Sequence, residues 1–306
     1  MECHLSIHLF FIIYIIGCEG GPYFNDDKGL TLHDNKDLDW MAKRVNDETL
    51  LSTVTIPGTY QSMKINTFDQ HQVWKLEKQF EAGVRFFDIS LSDNVVKDGS
   101  PRKSMTFLEV MNIMMSLLAK HQKETILLRL TPEDKKSTKA VEAYIQSHKN
   151  KVWDEATMPK MSQVRQKIVF VQSPKFNKGL MVHSTNVGEK KFKSTGENME
   201  KIKKYLQDAK DKCSQHLALT ETTAEKLFKS ASSVAKDLNP EIHKYLADLL
   251  KDPKKPKCLG VISVDFPGPD LIKTIFDFNS DSGSSSDGSA GAENAEAPPP
   301  PEAEGE

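Results

Sequence analysis

The chain has 306 residues, with 41 Lys+Arg against 43 Asp+Glu, 38% hydrophobic residues and four cysteines. This composition excludes a fibrous repeat, a wholly disordered chain and a disulfide-dense miniprotein. A formal net charge of −2 excludes a strongly basic nucleic-acid binder.

In chain order, residues 5–17 (LSIHLFFIIYIIG) come first, an apolar run broken by Ser6 and His8. A membrane-crossing helix needs roughly 20 apolar residues, so this run, followed by Gly17-Cys18-Glu19-Gly20, reads as a secretory signal peptide over residues 1–20. An uncleaved anchor or, from Ile15-Ile16-Gly17-Cys18, a lipoprotein signal are the alternatives. Strand-like runs follow at 52–56 (STVTI), 84–89 (VRFFDI), 125–130 (TILLRL), 167–172 (KIVFVQ), 216–219 (HLAL) and 261–266 (VISVDF). Their near-continuous apolar character suits parallel strands buried on both faces. Helices are expected at 107–118, whose apolar residues recur at helical spacing, and at 197–208, 224–237 and 240–250. Asn239 is a plausible N-cap, with Pro240 at the first helical position. Residues 280–306 carry seven acidic and no basic residues and no large apolar one, and read as a disordered tail. The body, 21–279, is then mildly basic. Within it Cys213 and Cys258 form an even pair, either a disulfide or two buried thiols.

Strand–helix alternation over this length argues one α/β domain, a (β/α)-barrel. In such barrels chemistry sits at the carboxyl ends of the strands. The residues there are 57–62, Asp88, Ser90, 97–99, Thr131, Gln172, Ser173, Glu221 and Asp265.

At these positions the chain resembles the phosphatidylinositol-specific phospholipase C X-domain family, in its single-domain bacterial form. The blocks that carry the resemblance are Asp39-Trp40-Met41, Thr55-Ile56-Pro57-Gly58-Thr59, Phe86-Phe87-Asp88-Ile89, Phe107-Leu108-Glu109-Val110, Glu124-Thr125-Ile126-Leu127, Lys167-Ile168-Val169, Asn239-Pro240-Glu241-Ile242 and the run 260–265. They fall in family order over about residues 38–279. The resemblance implies a distorted (β/α)8 barrel of the TIM type and cleavage of the phosphodiester in phosphatidylinositol or a glycosyl-phosphatidylinositol anchor. In that reaction one histidine is the general base, a second is the general acid, and an arginine neutralises the phosphoryl oxygens. Here Tyr60 stands for the base, Gln61 for its carboxylate neighbour, Ser90 for the arginine and Asp98 for the acid. Asp88, Asp265 and Ser62 match the family pattern.

Each general acid or base typically contributes about 10²–10⁴ in rate, and tyrosine holds its proton at neutral pH. A mouth holding Asp88, Asp98, Glu221 and Asp265 without an arginine would repel a phosphodiester. Of the histidines, His71, His121 and His148 fall on or between predicted helices, and His183 and His216 in or before strand-like runs. None lies just past a barrel strand, so each is read as structural or solvated. No zinc-ligand spacing occurs, and calcium finds Gln61 and Ser90 where it would want carboxylates; no cofactor or metal is expected. Tyr60 either hydrogen-bonds a ligand or fills the space of a smaller residue.

The expectation is a secreted, extracellular, monomeric barrel, catalytically impaired or inactive. It would bind an inositol phospholipid headgroup or a glycan, with peripheral contact to anionic membrane through the lysine clusters 190–193, 201–204 and 254–257. Those clusters otherwise read as solvated faces. The alternative is an active phosphoric diester hydrolase with a non-standard site, using Tyr60, Asp88 and Asp98 with a metal.

Overall fold

The computed structural model describes residues 21–32, 38–65, 70–96, 104–186, 194–213, 215–223 and 230–280. The expected signal peptide, the acidic tail from residue 281 onward, Asp98 and the lysine cluster 190–193 lie outside the described residues.

The long apolar runs become the central strands: β1 (Ile56–Thr59), β2 (Phe86–Ser92), β4 (Ile126–Pro132), β6 (Ile168–Val171), β8 (Leu217–Glu221) and β9 (Val261–Val264). Two strands were not expected, β5 (Val152–Trp153) and β7 (Val182–Asn186), besides the short antiparallel β3 (Val95–Val96) that hangs on β2. Along the sheet the order is β5-β6-β4-β2-β1-β9-β8-β7, and every pairing in that path is parallel. The β7 end of the path returns to the other side, meeting β6 through one bridge and the segment after β5 through a backbone bond from Gly179 to Asp154, 2.8 Å. Leu180, just before β7, donates its amide to Phe170 and accepts from the amide of Gln172, so β6 and the entry to β7 touch at Val171–Leu180. The barrel is therefore of the expected type, distorted and thin along one seam.

Helices α1 (Trp40–Arg44), α2 (Leu76–Glu81), α3 (Phe107–Lys120), α4 (Lys135–Ser147), α5 (Met161–Val164), α6 (Thr195–Lys212), α7 (Ala231–Lys251) and α8 (Pro269–Phe276) connect the strands. α3 starts as its sequence dictates. Thr106 accepts from the Glu109 amide while the Glu109 carboxylate accepts from the Thr106 amide, a capping box. Its apolar stripe of Phe107, Val110, Met111, Met114 and Leu118 is buried. A second apolar cluster joins α6, α7 and α8 to β9, through residues such as Ile202, Leu238, Leu271 and Ile262.

Three local expectations are corrected. Leu51–Thr53 is a 3-10 turn, and the first strand begins at Ile56 and runs through Pro57 and Gly58. Pairing with β2 on one side and β9 on the other outweighs the strand-breaking tendency of Pro-Gly, and Gly58 is required there. A Cβ at Gly58 would sit 2.8 Å from the Phe86 ring. Second, residues 224–229 of the helix expected at 224–237 lie outside the described residues, and the rest of it joins the helix expected at 240–250 in one helix, α7, with Pro240 inside it. Third, Asn239 is no cap: its side-chain amide donates to the carbonyls of Asp265 and Phe266, 2.9 and 3.1 Å away, fastening α7 to the end of β9. Cys213 and Cys258 are joined as a disulfide, linking the end of α6 to the approach to β9. Among the described residues, no helix is long and apolar enough to cross a membrane.

Candidate functional site

The carboxyl ends of the parallel strands surround a cleft of about 760 Å³. Tyr60, Gln61, Asp88 and Ser90, four of the positions singled out in the sequence, line it together, with Thr131, Ser173 and Glu221. The register explains the convergence. Asp88 on β2 lies opposite Arg129 on β4, and Ser90 opposite Thr131.

The floor is built on Ser62. Its hydroxyl accepts from the Asp88 amide at 2.8 Å, and its own amide donates to the Asp88 carbonyl at 2.8 Å, which welds the turn after β1 to β2. Gln61 sits in that turn with φ 45°, in the left-handed region, and its amide points at Asp88 Oδ2, 3.3 Å away. Gln72 adds a clamp, donating from Nε2 to the carbonyls of Tyr60 and Val264 at 2.9 and 3.0 Å.

The main correction concerns charge, since the mouth holds an arginine. Arg129 lines the cleft and donates from Nε to Asp88 Oδ1 at 2.9 Å and from its terminal nitrogen to Glu221 Oε1. Ser184 donates to the other Glu221 oxygen at 3.2 Å. Burial opposes the guanidinium charge, but Asp88 and Glu221 more than offset it and hold the arginine protonated. Burial pushes the Glu221 carboxyl up, against the pull of Arg129. The Tyr60 phenol is pushed up to about 12, first by burial and then by Asp88, Glu221 and Asp265, with Gln61 opposing. Tyr60 is thus a neutral hydrogen-bonding group across the working pH range. Counting Glu133 and Lys175 at the rim, which pair with each other, three carboxylates face two cations.

Asp265 does not line the cleft. It is buried behind Tyr60, where it accepts from Thr223 and contacts His71 Nδ1 at 2.9 Å. The His71 ring meets Tyr60 edge-on, with centroids 5.1 Å apart. The last-strand carboxylate therefore does have an imidazole, delivered by the loop between β1 and α2. The sequence signal for Arg129 was plain in retrospect: an arginine within the apolar run TILLRL can be buried only against acidic partners. His71 carried no such signal, because its place depends on the path of a loop.

Among the described residues, no histidine lines the cleft, and no group of three or more His, Cys, Asp or Glu side chains is placed to hold a metal ion. Asp98 lies outside the described residues.

Comparison with known proteins agrees with this fold. The chain is 26% identical over 271 positions to the 1-phosphatidylinositol phosphodiesterase of Listeria monocytogenes, covering 78% of this chain and 84% of that protein. The chain resembles the phosphatidylinositol-specific phospholipases C. The solved structure of the Listeria phospholipase superposes with a TM-score of 0.68 at 22% identity, covering 79% of this chain and 98% of that one. A mutant of the phosphatidylinositol-specific phospholipase C from Staphylococcus aureus superposes at 0.63 with 18% identity, covering 78% and 98%. These matches establish the phospholipase C barrel as the fold. No family model matches the chain.

Proposed function

We propose that this protein is a secreted phospholipase C-like barrel that binds a polyhydroxylated headgroup, an inositol ring or a glycan, and does not cleave phosphodiesters. The observation that carries the reading is Arg129, held between Asp88 and Glu221 in a cleft without a histidine among its described lining residues. Diester cleavage needs fixed positive charge on the phosphoryl oxygens and groups that exchange protons near neutral pH. Arg129 faces two carboxylates that already use its charge, and Tyr60 titrates far too high to act as a base. A neutral polyol asks for something else. Its hydroxyls can donate to Asp88 and Glu221 and accept from Arg129, while Gln61, Ser90, Thr131 and Ser173 offer further partners. The cleft volume falls within the roughly 300–1,000 Å³ range of small-molecule sites. Residues 5–17 support export.

One specific observation favours a second reading, an active hydrolase. The His71–Asp265 pair beside Tyr60 has the composition of a general base and its orienting carboxylate. Purified protein incubated with labelled phosphatidylinositol, with and without Ca²⁺ or Mg²⁺, separates the two. We expect no release of inositol phosphates above background, together with inositol or monosaccharide binding by calorimetry that Ser90→Trp abolishes at unchanged thermal stability. Turnover that disappears in His71→Gln or Asp265→Asn would establish the second reading. Introducing Tyr60→His, Ser90→Arg and Asp98→His together should produce detectable cleavage.

A further inference from the structure

At the opposite, amino-terminal end of the barrel a second cleft of about 850 Å³ opens between the segment that follows α1 and the loop that precedes β9. Its charged lining is entirely cationic: Arg44, Lys254, Lys255 and Lys257. Lys254 and Lys257 are exposed, and neither has an ion-pair partner among the described residues. Two acids stand outside the wall and are engaged: Asp277 with Arg44 at 2.6 Å and Lys273 at 2.7 Å, and Asp252 with the Lys254 backbone amide at 2.8 Å.

The last described residue of the chain lies in this cleft. Ser280 Oγ accepts from Arg44 at 2.7 Å, and its carbonyl accepts from Lys255 Nζ at 2.9 Å. Its predecessor Asn279 is fixed by a two-way hydrogen bond to the backbone of Thr55, 2.8 Å in each direction. Directly beyond Ser280 comes the sequence DSGSSSDGSAGAENAEAPPPPEAEGE, with seven carboxylates and no basic residue. The last described residue before the acidic stretch is thus held in the basic cleft. Asp281 is the very next residue, and Asp287 follows seven residues after Ser280, a reach of up to about 25 Å of extended chain. Tethering gives such a segment an effective concentration in the millimolar range, so weak charge pairs suffice to hold it.

We propose that the acidic carboxyl-terminal segment lies back on this cleft, setting Asp281 and Asp287 against Lys254, Lys255 and Lys257, and so covers a basic surface of the barrel with the protein's own polyanion. The proposal is independent of what the mouth of the barrel binds. Its physical content is electrostatic, so salt tests it directly. The Debye length falls from about 30 Å at about 10 mM salt to about 3 Å at about 1 M.

The full-length chain would be treated with a zero-length carbodiimide, which joins carboxylates to amines in contact, and the products mapped by mass spectrometry. Linkage of Asp281 or Asp287 to Lys254, Lys255 or Lys257 should dominate at low salt, fall at least fivefold at high salt, and drop to a similar degree in Lys254→Ser/Lys257→Ser. Tail carboxylates linked to lysines all over the surface, or no tail linkage at low salt, would overturn the proposal. A mixture of ¹⁴N- and ¹⁵N-labelled protein reports links between copies, and their predominance would overturn it as well. The salt step uses the unmodified chain, so the result does not depend on how the double variant folds.

Discussion

Two buried ionic groups show how single residues take different parts in this barrel. Arg85 and Glu124 are wholly buried and bonded to each other at 2.8 Å. The remaining guanidinium donors go to the carbonyls of Phe80, Val84 and Leu38, the plane lies 3.6 Å over the Phe80 ring, and Glu124 also accepts from the Ala42 amide. Every polar contact of this pair serves the packing of α1 and α2 on the sheet. Glu124→Gln leaves the guanidinium buried without its counter-charge and should cost about 3–5 kcal/mol, read as a fall in the urea midpoint. Arg129 is buried too, but it faces the cleft and shares its charge between two carboxylates. Tyr60 beside it gives a pH signature. Its folded value of about 12 lies above the ordinary value of 10, so folding favours the neutral phenol. That contribution is complete below pH 10 and is lost as pH rises toward 12. Ultraviolet titration of the folded protein should include a phenol ionising near pH 12 that is lost in Tyr60→Phe.

At the level of elements, the strands that were legible are those buried on both faces, because continuous apolar runs such as IVFV admit little else. The strands that were not legible are held by their neighbours. β7 reads VHSTN and pairs along its length with β8 through Val182–Leu217 to Asn186–Glu221, a partnership that its own composition does not announce. β1 crosses Pro57-Gly58 for the same reason. In α7 the proline misled in the other direction, since Pro-initiated helices are common while interior prolines ordinarily cost about 3 kcal/mol. Here packing of Leu238, Ile242 and Leu246 into the second apolar cluster holds the helix together across Pro240. Asn239, next to that weak point, does the fastening. Asn239→Ala removes the donor from two buried carbonyls and should destabilise the protein by about 1–3 kcal/mol. Thermal melting would check this, with Asn239→Asp as the companion, since it keeps the size and loses the donor.

For the molecule as a whole, block order in the sequence was enough to read the barrel, and strand ends were enough to bring Tyr60, Gln61, Asp88 and Ser90 to one cleft. What escaped was set by long-range geometry: Arg129 brought opposite Asp88 by register, and His71 turned onto Asp265 by a loop. The Cys213–Cys258 bridge, 45 residues apart, is the one covalent tie across the fold among the described residues. Closing a loop of that length is worth up to about 4 kcal/mol in the chain-entropy account, so Cys213→Ser/Cys258→Ser should lower the stability measured by denaturant by about 2–4 kcal/mol. Where the β7 end of the sheet returns to β6 and β5, the backbone bonds run from two residues, Leu180 to β6 and Gly179 to Asp154 just after β5. A cylinder stitched so sparsely has a preferred place to part. Deuterium should enter the amides flanking Leu180 well before those of β1 or β9, and the staves on either side of that gap can spread without disturbing the rest of the cask.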